Sequence, residues 1–202
     1  MMLLTAVLGE RLSIVKTLVA SGADMDFGSA NDFNRCPLHV AANYGLLPIL
    51  RYLLRSGANP NRQDRLGYTP LYSASFLGKT ECAHELLEAG ADMLVVNMDG
   101  RTSFEACSQE NHVAILEDHL AHGVLRVSRV APAIAFKALC IASGFGKLGT
   151  VNVLLEAGVP PAKPDLGGTD SQPFSCAAED GHVQVAKRLM AAGGDALLNE
   201  RN

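Results

Sequence analysis

The chain has 202 residues, is 48% hydrophobic and 19% charged, and has a net charge of −4. That balance supports a continuous buried core, and without any long basic run it argues against a phosphate-tracking groove for nucleic acid. No stretch approaches the ~18 consecutive apolar residues a membrane span needs, so no membrane insertion is expected.

The first expected element is an apolar helix over residues 1–8. It has the look of a short signal segment, but no basic region precedes it, and Glu10 and Arg11 follow at once. It also fits a repeating frame that runs on from it, so a signal peptide is rejected. In that frame a small-residue turn and an apolar stretch, such as Cys36-Pro37-Leu38-His39-Val40-Ala41-Ala42, lead to a glycine and then to an apolar run ending on another glycine. The closing glycines are Gly22, Gly57, Gly90, Gly123, Gly158 and Gly193, spaced by 35, 33, 33, 35 and 35 residues. A period of this size marks a stack of repeats forming a single domain over residues 1–202. Six units are expected, at about residues 1–27, 31–63, 64–96, 97–123, 132–161 and 167–202.

Each unit reads as two helices. In the third, Thr69 is the expected N-cap and Pro70 takes the first helical position, where its missing N–H is no loss. Leu71, Ala74 and Ser75 recur at helical spacing, Gly78 ends that helix, and a second helix over residues 80–89 turns Leu86 and Leu87 to the core. The segment Asp64-Arg65-Leu66-Gly67-Tyr68 reads as a β-turn between helix pairs. Small residues, Ala41 and Ala42 or Ala177 and Ala178, are expected to let inner helices approach closely. The five cysteines (Cys36, Cys82, Cys107, Cys140 and Cys176) include no C-x-x-C pair and read as reduced, buried thiols of an intracellular, cytoplasmic protein.

These residues resemble the ankyrin repeat, whose phrase is T-P-L-H-x-A-A, then G-H, an aliphatic run and G-A-D-x-N. The second unit has Pro37-Leu38-His39-Val40-Ala41-Ala42 and Gly57-Ala58-Asn59-Pro60-Asn61. The third has Gly67-Tyr68-Thr69-Pro70-Leu71 and Gly90-Ala91-Asp92, and the sixth has Ala177-Ala178-Glu179-Asp180-Gly181-His182-Val183. The resemblance implies an all-α, ankyrin-type solenoid of about six helix-turn-helix repeats with short β-turn tips. It also implies that His39 serves the structure by hydrogen-bonding the backbone of neighbouring turns, with His112 and His182 read alike.

Three units depart from the phrase. The fourth has Thr102-Ser103-Phe104-Glu105 for T-P-L-H, and Asn111 for glycine, a mild change because Asn tolerates the left-handed region. The fifth has Val130-Ala131-Pro132-Ala133-Ile134-Ala135-Phe136 where a turn is due; either the hairpin is rebuilt or the inner helix starts early. Its apolar Ala133, Ile134 and Phe136 suggest a second contact surface. The first unit opens on an apolar helix with no leading turn, which suggests cover by another protein or a longer product.

No catalytic or cofactor-binding arrangement stands out, and neither a cofactor nor a small-molecule substrate is expected. His119 and His122, near a helix end where positive charge suits the dipole, match no established zinc spacing with His112 and Asp118. Gly144-Phe145-Gly146-Lys147 lacks the frame of a phosphate loop.

What remains are the variable positions on the turn tips and the inner helices. They are Asp32, Phe33, Arg35, Val40, Asn43 and Tyr44 in the second unit, and Arg65, Leu66, Tyr68, Ser73, Phe76 and Leu77 in the third. The fourth adds Met98, Asp99, Arg101, Gln109 and Glu110. Aromatic residues and arginines carry much of the energy of protein interfaces. The expected partner-binding residues are therefore Phe33, Arg35, Tyr44, Arg65, Leu66, Tyr68, Phe76, Met98 and Arg101. The function so read is non-catalytic recognition of another protein through the concave face of repeats two to four. The alternative is a structural subunit permanently docked in a larger assembly.

Overall fold

The computed structural model describes residues 2–29, 32–125, 131–162 and 172–193. The chain divides into two compact units, Met1–Ala106 and Cys107–Asn202. Among the described residues the regular elements are twelve helices, with one isolated bridge between Ser29 and Arg35. The all-α expectation holds.

The first unit contains α1 (Met2–Leu8), α2 (Leu12–Ala20), α3 (Pro37–Tyr44), α4 (Leu47–Arg55), α5 (Pro70–Phe76) and α6 (Thr80–Glu88). They form three hairpins, with α1, α3 and α5 packed in one row and α2, α4 and α6 in another. The sequence explains the close row. Ala41, Ala42 and Ala74 are fully buried, so neighbouring backbones meet across methyl groups, while Leu38, Leu50, Leu53, Leu71 and Leu86 fill the space between rows. Both α3 and α5 begin on proline, and the Thr69 hydroxyl caps α5 by accepting from the Tyr72 N–H at 3.1 Å.

Between hairpins the chain makes a β-turn tip. The buried Asp64 closes the tip between α4 and α5, its Oδ1 accepting from the N–H groups of Leu66 and Tyr68, each at 2.9 Å. Asn97 does the same one period later, accepting from Asp99 and Arg101 at 2.9 Å. The tips are joined by main-chain bonds, Arg65 N–H to Phe33 C=O at 2.8 Å and Met98 N–H to Leu66 C=O at 3.0 Å. Gly67 sits where this junction is tightest: its φ is 78°, and an added Cβ would lie 3.0 Å from Asn97 Cα.

The helix α7 (Ser103–Glu110) contains the division between units. The second unit continues with α8 (Val113–Ala121), α9 (Ala131–Gly144), α10 (Leu148–Glu156), α11 (Pro173–Glu179) and α12 (Val183–Gly193). Within it α9 packs on α11, and α10 packs on α8 and α12. At 14 residues α9 resolves the irregular fifth turn: the inner helix starts early, at Ala131. Val130 lies outside the described residues. Phe136 is buried in this longer helix, which corrects its reading as a contact residue, whereas Ile134 is half-buried and Ala133 exposed. Asn111 takes the glycine position at φ 64° as expected. Its Oδ1 also accepts from Thr150 N–H at 3.0 Å, a bond glycine could not make.

Candidate functional site

Two expected structural histidines, His39 and His182, bond backbone carbonyls as expected. His39 is fully buried; its Nε2–H donates to Tyr68 C=O at 2.9 Å, while Nδ1 accepts from Cys36 N–H at 3.3 Å. Burial lowers its pKa, so the ring is held neutral. His182 Nε2 donates to Gly144 C=O at 2.8 Å. His119 departs from its reading as a helix-end cation. It is fully buried, donates to Ile115 C=O at 2.8 Å, and has its pKa pushed down to about 4 by burial. Among the described residues no group of three or more His, Cys, Asp or Glu could hold a metal ion.

The nine expected partner-binding residues all belong to the first unit. Phe33, Tyr44, Arg65, Phe76 and Met98 are exposed, Met98 most of all at 76%, while Arg35, Leu66, Tyr68 and Arg101 are half-buried. One other variable position, Val40, is buried against the core, while Ser73 keeps 8% exposure. The structure brings Arg35, Tyr68 and Phe76 to one concavity of about 330 Å³, which Asn43, Tyr72 and Leu77 also line. Arg65, Leu66 and Met98 sit on the adjoining turn tips, tied to the site through the main-chain bonds of Phe33 and Leu66.

Tyr72 is the residue that sequence reasoning missed. It precedes Phe76 by four positions on α5, a helical spacing that aligns their rings, while Tyr68 meets it from the turn tip. Tyr68 and Tyr72 lie 4.7 Å apart at 37°, and Tyr72 and Phe76 lie 6.4 Å apart and nearly parallel at 14°. The Tyr72 hydroxyl is pushed up to about 12 by burial and by the neighbouring Tyr68, so it stays a neutral donor and acceptor.

Arg35 faces this wall of rings. Its Nε lies 3.4 Å from Asp64 Oδ2, its Nη1 lies 3.6 Å from Asp32 Oδ1, and its guanidinium sits 5.6 Å from the Phe33 ring centre. Phe33 has φ 49° and Asn34 has φ 61°. A bulky side chain in the left-handed region costs about 1–2 kcal/mol, and such strain gathers where a side chain is held for contact. Phe33 is half-exposed despite that cost.

A second, apolar groove of about 250 Å³ lies on the first hairpin, lined by Met2, Leu3, Leu4, Leu18, Phe27 and Pro37 among others. Met2 is 75% exposed there and Phe27 51%. No helix among the described residues is long and apolar enough to cross a membrane.

A family model described as ankyrin repeats (3 copies) matches residues 3–97. Human ankyrin repeat domain-containing protein 37 is 34% identical over 89 residues, covering 44% of this chain and 56% of that protein. The mouse protein of the same name is matched over 55% of its length, so the matched segment spans about half of these relatives. Human SH3 and multiple ankyrin repeat domains protein 2 is 28% identical over 188 residues, 92% of this chain but 10% of that protein. Among solved structures, the human ASB11 ankyrin repeat domain superposes with a TM-score of 0.77 at 27% identity, covering 95% of this chain and 83% of that one.

Proposed function

This is an ankyrin-repeat protein, a kind that mediates protein–protein interaction, and we propose that it recognises a partner protein without catalysis, through the strip of repeats two to four. The observation that carries this reading is the row of rings Tyr68, Tyr72 and Phe76 opposite Arg35, open to solvent along one concavity. Rigid aromatic rings bury large areas at small entropic cost, and an arginine already held in place loses little more on binding. The flanking Arg65, Leu66, Met98 and Arg101, with Phe33 and Tyr44, extend the strip on either side.

The test is cross-linking of the full chain in cell extract followed by mass spectrometry, repeated with Tyr72→Ala. A partner cross-linked to the strip and lost from Tyr72→Ala meets the expectation. Partners whose capture ignores every strip substitution overturn it. A second reading, permanent docking in a larger assembly, draws on the exposed apolar groove around Met2 and Phe27. It requires the isolated chain to self-associate and a partner to disperse it. A monodisperse monomer in sedimentation would count against it.

A further inference from the structure

The concavity beside Arg35 has a chemistry that narrows what can enter it. Among the described residues lining it, Arg35 carries the one charge; the others are the three rings, Leu77, Asn43 and Ser73. Two acids, Asp64 and Asp32, pair with Arg35, and neither lines the concavity. Asp64 is buried, and its Oδ1 is already occupied by the N–H groups of Leu66 and Tyr68. Asp32 reaches Arg35 only at 3.6 Å, and the Nε contact to Asp64 is 3.4 Å. Both are long against the ~2.7–2.9 Å of a strong charge-assisted bond. The ion pairs with described residues use Nε and Nη1 and not Nη2, so the guanidinium keeps a donor edge for a guest.

The rings stand in a row, tilted by 37° and 14°, and form one wall rather than a cage around a point. The ring faces alone would attract a cation, but Arg35 at their edge opposes one and suits an apolar side chain next to an anion. At about 330 Å³ the space lies at the small end of ligand pockets, which run from ~300 to 1,000 Å³. That suits one or two side chains of a peptide.

We propose that this site takes a segment of a partner protein in which an apolar or aromatic side chain lies beside an Asp or Glu. The side chain packs on the Tyr68–Tyr72–Phe76 wall and the carboxylate pairs with Arg35. This rests on the protein-recognition reading above and names the chemistry of its partner.

The experiment pans a random twelve-residue peptide library on the full chain. The best peptide and its acid-to-amide counterpart (Glu→Gln or Asp→Asn) are then measured by fluorescence anisotropy on wild type, Arg35→Gln and Tyr72→Ala. Selected sequences are expected to pair an apolar or aromatic residue with an acid, and the amide peptide should bind wild type at least tenfold more weakly. Arg35→Gln should bind both peptides alike, and its residual binding of the amide peptide shows that the site is folded. Arg35→Lys, a second variant, should keep part of the preference for the acid. An acid preference that survives in Arg35→Gln, or selection of cationic peptides, overturns the inference. Peptides lost on Tyr72→Ala but indifferent to acid and to Arg35 would leave the recognition reading standing and remove this one. Failure to select any peptide, or binding that ignores all three residues, would remove both.

Discussion

His39 on α3 donates from Nε2 to the carbonyl of Tyr68, 2.9 Å away and 29 positions later in the chain. The bond fastens one inner helix to the start of the next one's turn, and Tyr68 is also the first ring of the candidate site. Structure and recognition therefore meet at one carbonyl. His39→Ala leaves Cys36 N–H unpaired, leaves the Tyr68 carbonyl with only its 2.9 Å bond from Asp64 N–H, and opens a cavity, which together cost about 2–3 kcal/mol. Urea unfolding should show a loss of that order. A loss under ~1 kcal/mol would mean that water replaces the ring without penalty.

His119 makes stability depend on pH. The native chain holds it neutral with a pKa near 4, against 6.5 for an ordinary histidine. Below pH 6.5 the unfolded state therefore binds more protons than the native one. Stability is full above pH 6.5 and declines as pH falls towards 4, by roughly 3 kcal/mol at the end of that window. His39, also shifted down, adds to the same trend. Denaturation series at pH 7.5 and pH 5 should show the decline, and His119→Asn should flatten it. An equal slope in the variant would place the titration elsewhere.

Asn111 carries two duties that separate cleanly. It occupies the left-handed region at φ 64°, and its Oδ1 accepts from Thr150 N–H at 3.0 Å. Asn111→Gly relieves the backbone and loses the bond, so its net cost should stay under about 1 kcal/mol. Asn111→Ala loses the bond and keeps the strain, for about 1–2 kcal/mol more. Equal thermal midpoints for the two variants would show that the backbone angle is relaxed in solution.

The period of the closing glycines makes the helix pairs legible, because Gly22, Gly57, Gly90, Gly123 and Gly158 take positive φ just past an outer helix, while Gly193 is the last residue of α12. Asp64 is legible as a turn residue, because a turn needs an acceptor, whereas the role of His39 is legible only through the resemblance of its segment to the ankyrin phrase. Val40 is misplaced because helical phase alone cannot tell an inner helix's open side from the side its neighbour covers; it is buried. Ala178 erred the other way. It was paired with Ala177 as a packing residue, yet it faces solvent while Ala177 is fully buried. Tyr72 escapes notice because Tyr68 lies on the turn tip, outside α5, and the two rings meet only in the folded chain. The neutrality of His119 depends on burial, which its position near a helix end does not reveal.

The fifth repeat offers a last contrast, between Ile134 and Phe136 on the same helix. Their apolar character suggested one contact surface, but α9 begins at Ala131 and rotates them apart: Phe136 is 8% exposed and Ile134 is half-buried. Phe136→Ser removes a buried ring and inserts a hydroxyl, and should cost at least about 3 kcal/mol. Ile134→Ser should cost about 1 kcal/mol or less, since much of its side chain already meets water. Any loss of partner binding in Phe136→Ser would then follow its loss of folded protein and vanish when corrected for it. Only Ile134→Ser can report on a contact there, because it should leave the helix folded. If both variants unfolded at the same urea concentration, the two side chains would share one environment, and the early start of α9 would not be what separates them.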